Sequence, residues 1–104
     1  MILTSILALT LSPAQTGECV PAPQPGHSGA SIRRWYISSS VVTLGGKVYT
    51  KYGLPRVLHK DEVRLYQPYK GGFFYVEKSS TTYEVLYLLT QINGCEFQPY
   101  VVKD

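Results

Sequence analysis

Residues 73–102 decide the fold, and they read FFYVEK (73–78), SSTT (79–82), YEVLYLLTQ (83–91), ING (92–94) and CEFQPYVV (95–102). Three runs rich in aromatic and β-branched residues alternate with two turn signals, a pattern typical of strands joined by tight turns. The stretch therefore predicts a three-stranded antiparallel meander. We expect the preceding residues to form more β-sheet.

The charges at the first turn of the meander select the register of its first two strands. Pairing Lys78 with Glu84 sets opposite charges across the turn and places Phe74 opposite Leu88. A slip by one residue sets Glu77 against Glu84, which is unfavourable because like charges then face each other directly. The first register is therefore predicted.

The second turn is expected to be a two-residue Asn93-Gly94 turn, which pairs Leu86 with Val101. Side chains alternate between the two faces of a strand, so these registers define two unlike faces. The predicted core face carries Phe74, Val76, Leu86, Leu88, Cys95, Phe97 and Val101. The opposite face carries Phe73, Tyr75, Tyr83, Val85, Tyr87, Gln98 and Tyr100.

Pro99 conflicts with this register. It falls opposite Leu88 at a position that requires a backbone N–H, which proline lacks. We therefore expect a bulge or break near Gln98, or a second turn of three or four residues.

The tyrosine-rich face has two interpretations. A second layer, such as a hairpin or an N-terminal strand, would cover it in a small sandwich or barrel. Left uncovered, it would be an aromatic platform for a protein or a glycan, because tyrosine offers a rigid ring with a polar tip. The binding residues predicted on this second interpretation are Tyr75, Tyr83, Tyr87, Gln98 and Tyr100.

Upstream, Gly45-Gly46 lies between two β-rich runs and predicts a two-residue hairpin that pairs Val42 with Tyr49 and Thr43 with Val48. The run 32–44 is expected to form two strands that are separated by a bend at residues 38–40. Residues 57–66 predict a short strand, with a single helical turn as the alternative. Residues 59–62 would form the turn before that strand, and Pro68 would end it.

Together these patterns predict an all-β fold, a small antiparallel sandwich or partly open barrel built from hairpins. A chain of 104 residues has room for one domain. We expect a signal peptide over 1–14, a tether rich in proline and glycine over 15–31, and the β domain over 32–104.

The apolar run Ile2–Leu11 is too short to span a bilayer, so no membrane span is predicted. Its length and the small residues Ser12 and Ala14 favour a secretory signal peptide, although no basic residue precedes Arg33. The alternative is an N-terminal strand that stays in the fold.

Cys19 and Cys95 are the two cysteines, and neither has a second cysteine or a histidine at metal-ligand spacing. We predict that they form a disulfide in an oxidising compartment, which makes the protein secreted or periplasmic. Two buried reduced thiols are the alternative. No metal and no cofactor are predicted.

His59 with Asp61 and Glu62 is the constellation that could act as a general base, because residues at i and i+2 share a strand face. A solvated charged turn explains the same residues, and the chain is expected to be non-catalytic. The net charge of +3 is spread along the chain, so the basic step Arg33-Arg34 beside Trp35 and Tyr36 does not favour nucleic-acid binding.

The sequence thus predicts a small secreted or periplasmic binding module that contacts a protein or glycan through its tyrosine-rich face. Two alternatives remain open. One is an inhibitor or immunity-type protein that blocks an enzyme with the loop 54–62. The other is a structural subunit that uses the N-terminal strand Ile2–Leu11 for assembly.

Overall fold

The computed structural model describes residues 18–103. The predicted signal peptide over 1–14 and the alternative strand Ile2–Leu11 lie outside the described residues. Residues 18–103 form one short helix and seven strands. These elements are α1 (Arg34–Ser38), β1 (Val41–Leu44), β2 (Lys47–Lys51), β3 (Arg56–Val57), β4 (Val63–Tyr69), β5 (Gly72–Glu77), β6 (Val85–Gln91) and β7 (Glu96–Val102).

The strands form one antiparallel sheet in the order β1-β2-β7-β6-β5-β4, and the short β3 also pairs with β7. The sheet curls into a half-barrel, which confirms the predicted all-β fold of the partly open barrel type. The predicted meander is β5, β6 and β7.

The inner face of the half-barrel holds the larger core. Its buried residues come from every strand between β1 and β5 in the sheet order: Val42, Leu44, Tyr49, Phe74, Val76, Leu86, Leu88 and Tyr100, with Ala30 from the preceding segment. The helix α1 packs on this face through Trp35 and Tyr36, and the Trp35 indole donates a hydrogen bond to the Lys70 carbonyl at 2.9 Å.

The outer face is covered over only part of its area. Val20, Leu58 and Val63 pack there against sheet residues that include Tyr75 and Tyr87. The covering segment is held by the predicted disulfide between Cys19 and Cys95, whose Cα atoms are 5.3 Å apart. The disulfide prediction is therefore confirmed, and the bond joins the start of the described chain to the β6–β7 turn.

Two of the predicted registers are confirmed. In the Gly45-Gly46 hairpin, Val42 pairs with Tyr49 and Thr43 pairs with Val48. Between β5 and β6, Phe74 pairs with Leu88. Both pairings join strands that are neighbours in the sequence.

The predicted register between β6 and β7 is wrong by one residue. Leu86 pairs with Tyr100 instead of Val101, and the shift occurs at a bulge between Leu89 and Gln91. At this bulge the Thr90 hydroxyl lies 2.9 Å from the Glu96 carbonyl oxygen and 2.8 Å from a Glu96 carboxylate oxygen. The extra residue turns β7 over, because a shift by one residue exchanges the two faces of a strand.

The same bulge resolves the conflict at Pro99, so the expected bulge lies on the partner strand instead of near Gln98. Pro99 pairs with Tyr87, and its carbonyl accepts a hydrogen bond from the Tyr52 N–H at 3.0 Å. The N and C=O of one strand residue point to the same side, so the proline nitrogen faces away from β6. It lies beside the gap between β2 and β3, where no ladder hydrogen bond is lost.

Residues 34–38 form a helical turn, and the predicted strand before the bend at residues 38–40 is wrong. In this turn Trp35 and Tyr36 face the inner core, whereas Arg34 and Ile37 are exposed. Burying two adjacent aromatic rings on one side requires helical geometry, because a strand would send them to opposite faces. Tertiary packing therefore outweighs the β propensity of these residues.

The strand β4 continues through Pro68 to Tyr69, so the predicted end at Pro68 is wrong. This strand lies at the edge of the sheet, where a missing N–H removes no ladder bond. The turn predicted over residues 59–62 is confirmed by a hydrogen bond from the Glu62 N–H to the His59 carbonyl at 2.9 Å.

Candidate functional site

The five predicted binding residues do not form one exposed face. Tyr75 and Tyr87 lie on the outer face, whereas Tyr100 lies in the inner core. Their exposed fractions are 3%, 4% and 0%. The prediction of an exposed tyrosine platform is therefore wrong, because the bulge at Thr90 inverts β7 and the segment around Val20 covers the outer pair.

The outer tyrosines behave as core residues. The Tyr75 ring packs edge-on against Phe97 with 5.3 Å between centroids, and burial raises the pKa of Tyr75 to about 12. Burial is also the main cause that raises the pKa of Tyr87, while the nearby Arg56 opposes the rise. These hydroxyls therefore remain protonated and shielded from solvent at neutral pH.

On the inner face, burial raises the pKa of Tyr100, and its hydroxyl has no hydrogen-bond partner among the described residues. Gln98 accepts a hydrogen bond from the Tyr36 hydroxyl at 3.2 Å and donates one to the Gly53 carbonyl at 3.0 Å. Tyr83 stacks on Tyr66 with 4.9 Å between ring centroids. The Gln98 amide and the Tyr83 ring are thus engaged in contacts within the chain.

His59 interacts with Glu62 and not with Asp61. Its Nδ1 atom lies 3.4 Å from a Glu62 carboxylate oxygen, and the same oxygen accepts a hydrogen bond from the His59 backbone N–H at 2.8 Å. Both side chains are exposed, so Glu62 closes a surface turn. Within residues 18–103, no three His, Cys, Asp or Glu side chains come together as metal ligands.

Another part of the outer face is not covered by residues 18–103. Cross-strand pairing aligns Val41 with Thr50, Thr50 with Val101, and Val101 with Val85. These residues form a continuous row of uncharged β-branched side chains across β1, β2, β7 and β6. Val41 and Val85 are exposed, and the other two are half-buried. We call this row the valine row.

A shallow cleft of about 330 Å³ borders the valine row. Its lining includes the buried residues Tyr87 and Pro99, the exposed turn residues Tyr52 and Leu54, and Arg56. Leu54 is 84% exposed, the largest exposed fraction among the large apolar side chains of residues 18–103. The cleft and the valine row together form an apolar surface with one cation at its margin.

Sequence reasoning found only parts of this surface. Val85 was placed on the correct face, but Val101 was assigned to the core because the Thr90 bulge was missed. The alternation of Val48 and Thr50 along β2, continued by Tyr52 just after it, was a signal that could have found the outward side of that strand. Leu54 lies in the segment 54–62 that was singled out as an alternative contact loop.

The chain matches no protein-family model, no curated protein and no solved structure. Among the residues that the structure describes, no helix is long and apolar enough to cross a membrane. The surface just described is therefore interpreted from its own geometry.

Proposed function

We propose that this protein is a non-catalytic binding module of an oxidising, extracytoplasmic compartment, and that it binds a protein partner through the valine row and the adjacent cleft. The observation that carries the proposal is the uncovered half of the outer sheet face. β-branched side chains that align across four strands usually lie under a second layer. Here residues 18–103 supply that layer over the part of the face that holds Tyr75, Tyr87 and Phe97, and Val41 and Val85 stay exposed.

The size and chemistry of the surface favour a protein partner. A contiguous apolar area on a small domain marks a site of interaction, because exposing it to water is unfavourable. Val41, Val85 and Leu54 offer aliphatic contacts, whereas Arg56 adds a cation that makes no ion pair with another described residue. The partner is expected to present an apolar strip beside a carboxylate.

A glycan fits this surface less well. Sugar rings are recognised by stacking on exposed aromatic faces, with several hydroxyl contacts nearby. Tyr52 is the exposed aromatic residue of the cleft, whereas Tyr75, Tyr87 and Tyr100 of the expected platform are buried. Of the two partner classes predicted from the sequence, the protein is therefore the one proposed.

The compartment is proposed from the disulfide. Cys19 and Cys95 are 76 residues apart, and the bond fixes the segment that covers the outer face. A structural disulfide of this kind persists in oxidising surroundings and is rare in the cytosol. Export of the protein is the corresponding expectation.

The alternative function, an inhibitor that blocks an enzyme with the loop 54–62, would use the same surface. The segment 54–62 does not protrude as a whole, because Arg56 and Val57 pair with β7 and Leu58 is buried. Only the turn around Leu54 projects from the sheet. An enzyme could be the bound protein, but the contact would include the valine row.

Site-specific photo-crosslinking tests the proposal. A photoreactive phenylalanine analogue replaces Leu54 in the full chain, which is expressed in its source cells. We expect one dominant protein adduct, and we expect Val41→Lys or Val85→Lys to reduce its yield by about tenfold or more, because a charge in the centre of an apolar interface is strongly unfavourable.

Leu65→Lys is the matched control, since Leu65 is an exposed apolar strand residue of β4 at the other end of the sheet. Thermal unfolding of each variant must show an intact fold. An adduct yield that is the same in all three lysine variants contradicts the proposal. An adduct between two copies of the chain would show that the surface binds a second copy instead of a different protein.

A further inference from the structure

A second exposed surface lies on the opposite side of the sheet, around α1. Ile32 and Ile37 are 76% and 67% exposed, and three exposed cations lie within or beside α1: Arg33, Arg34 and Lys70. We call these five residues the basic isoleucine patch. The valine row and its cleft share no residue with it.

Helical geometry brings the members of the patch together. Ile37 follows Arg34 by three positions in α1, so these two side chains share one face of the turn, and both residues are exposed. Arg33 is the exposed residue directly before the helix and has an extended backbone. Trp35 and Tyr36 pack on the core. The short helix and the residue before it therefore present two cations and one large apolar side chain to solvent.

Contacts to the β4–β5 turn add the third cation. The Trp35 indole donates to the Lys70 carbonyl at 2.9 Å, and its ring packs edge-on against Tyr69 with 4.8 Å between centroids. The Arg33 guanidinium lies against Gly71, since a Cβ on that glycine would stand 2.8 Å from its Cζ atom. These contacts hold the turn beside α1.

Among residues 18–103, no carboxylate forms an ion pair with a cation of the patch. The ion pairs among residues 18–103 are His59–Glu62 and Lys60–Glu18, and neither involves the patch. The sequence between Glu18 and Asp61 contains no acidic residue, although it contains six basic residues. The patch therefore holds three of the ten Lys and Arg residues of the chain, and none of the three has a carboxylate partner among residues 18–103.

We infer that the basic isoleucine patch docks the protein on an anionic membrane surface. Clustered Lys and Arg side chains are attracted to acidic lipid headgroups, and exposed aliphatic side chains among them enter the interfacial region. The patch combines both features on one outward face, as a peripheral membrane contact requires. The inference is independent of the proposed protein partner, because it rests on a different surface.

Nucleic acid and acidic proteins also attract cations, but the apolar component favours the membrane. Binding to single strands uses exposed rings for base stacking, whereas Trp35 and Tyr36 are turned toward the core. Two exposed isoleucines on either side of the arginines make no favourable contact with a phosphate backbone. In a lipid interface they gain contact with acyl chains.

Vesicle binding tests the inference with the full-length oxidised protein. The probes are vesicles of phosphatidylcholine alone and vesicles of equimolar phosphatidylcholine and phosphatidylglycerol. We expect binding only to the anionic vesicles and weakening by salt. Trp35 is the one tryptophan in the chain, so brominated lipids should quench its emission when α1 docks.

Variants separate the two components. Arg33→Gln/Arg34→Gln should lower the partition coefficient by about tenfold or more, because each cation near an anionic surface contributes several-fold. Ile32→Ser/Ile37→Ser should lower it several-fold without changing net charge. Lys78→Gln/Lys103→Gln is the matched control, which removes two exposed cations elsewhere and should change binding by less than about twofold.

Three results would overturn the inference. They are equal binding to neutral and anionic vesicles, a loss of binding in the lysine control variant as large as in the arginine variant, and unchanged binding of the isoleucine variant. A short RNA bound by the wild type and lost with the arginines alone would assign the patch to nucleic acid. Leu54→Ser should leave vesicle binding unchanged, so failure of the membrane contact and failure of the protein contact are distinguishable.

Discussion

At the scale of single residues, two buried tyrosine hydroxyls have opposite roles. The Tyr49 hydroxyl donates to the Tyr83 carbonyl at 2.7 Å, whereas the Tyr100 hydroxyl is buried without a partner among residues 18–103. Tyr49→Phe should lower the free energy of unfolding by about 1 kcal/mol, because a hydrogen bond is lost. Tyr100→Phe should raise it by up to about 1 kcal/mol, because an unpaired polar group leaves the core.

Urea unfolding of the two variants measures both changes. Each substitution removes one oxygen from a fully buried ring, so the pair controls for the loss of the hydroxyl itself. Equal effects in the two variants would show that the difference in hydrogen bonding does not determine stability here.

Tyrosine burial also predicts alkaline instability. Burial raises the pKa of Tyr75 from 10.0 in the unfolded chain to about 12 in the fold. Above pH 10 the unfolded state therefore binds fewer protons than the folded state, so stability is complete below pH 10 and is lost as the pH rises toward 12. Urea midpoints between pH 8 and 11 should fall, and Tyr75→Phe should make the fall shallower than Tyr52→Phe does, because the Tyr52 ring is exposed.

At the scale of elements, Gly29 is the position where the segment before α1 meets the sheet. The Ala30 N–H donates to the Leu89 carbonyl and the Ser31 N–H donates to the Thr90 carbonyl, both at 3.0 Å. A Cβ on Gly29 would lie 2.1 Å from the Thr90 carbonyl oxygen, and the residue has a φ of +126°. Only glycine allows this approach of two backbones.

Gly29→Ala should therefore lower the free energy of unfolding by about 3 kcal/mol or more, because backbone atoms must move apart. Gly26→Ala is the control, since Gly26 has a φ of +78° and nothing within 4 Å of its Cβ position. It should cost about 1 kcal/mol, from the left-handed conformation alone. Equal losses, measured by thermal or urea unfolding, would contradict the close approach.

The contact between the segment at Gly29 and β6 is also an example of what could not be predicted from the sequence. The hairpin at Gly45-Gly46 and the pairing of Phe74 with Leu88 both join strands that follow each other in the chain, and both were predicted. The bulge beside Thr90 depends on the side chain of Glu96 across the turn, and residues 30 and 31 bond to the β6 backbone at the same place. Such contacts between distant segments leave no periodic pattern in the sequence.

The site was missed for that reason. Moving the register of β7 by one residue buries Tyr100 in the inner core and brings Val101 beside Val85 on the outer face. The sequence therefore identified the tyrosines but placed Tyr100 on the wrong face. The alternation of residues along each strand could be predicted, whereas the register between β6 and β7 could not.

At the scale of the whole molecule, the disulfide joins the covering segment to the sheet. Cys19 and Cys95 close a loop with a sequence separation of 76, and Val20 beside the bond packs in the outer cluster with Tyr75 and Tyr87. The inner core holds Trp35 on the other side of the sheet. The two clusters share the sheet, so we expect them to unfold together in the oxidised protein.

Removing the bond should destabilise the molecule and affect the outer face first. In the chain-entropy model a loop of this length contributes about 4 kcal/mol, which is a large share of the stability of a small domain. Cys19→Ser/Cys95→Ser should therefore lower the urea midpoint strongly. As urea is added, hydrogen exchange should rise around Tyr75 and Tyr87 before Trp35 emission changes, because the covering segment is released while the inner cluster remains packed.

A reductant should reproduce this order in the wild type and leave the double variant unaffected. If hydrogen-exchange protection and Trp35 emission are instead lost at the same urea concentration, the two faces form one cooperative unit even without the bond.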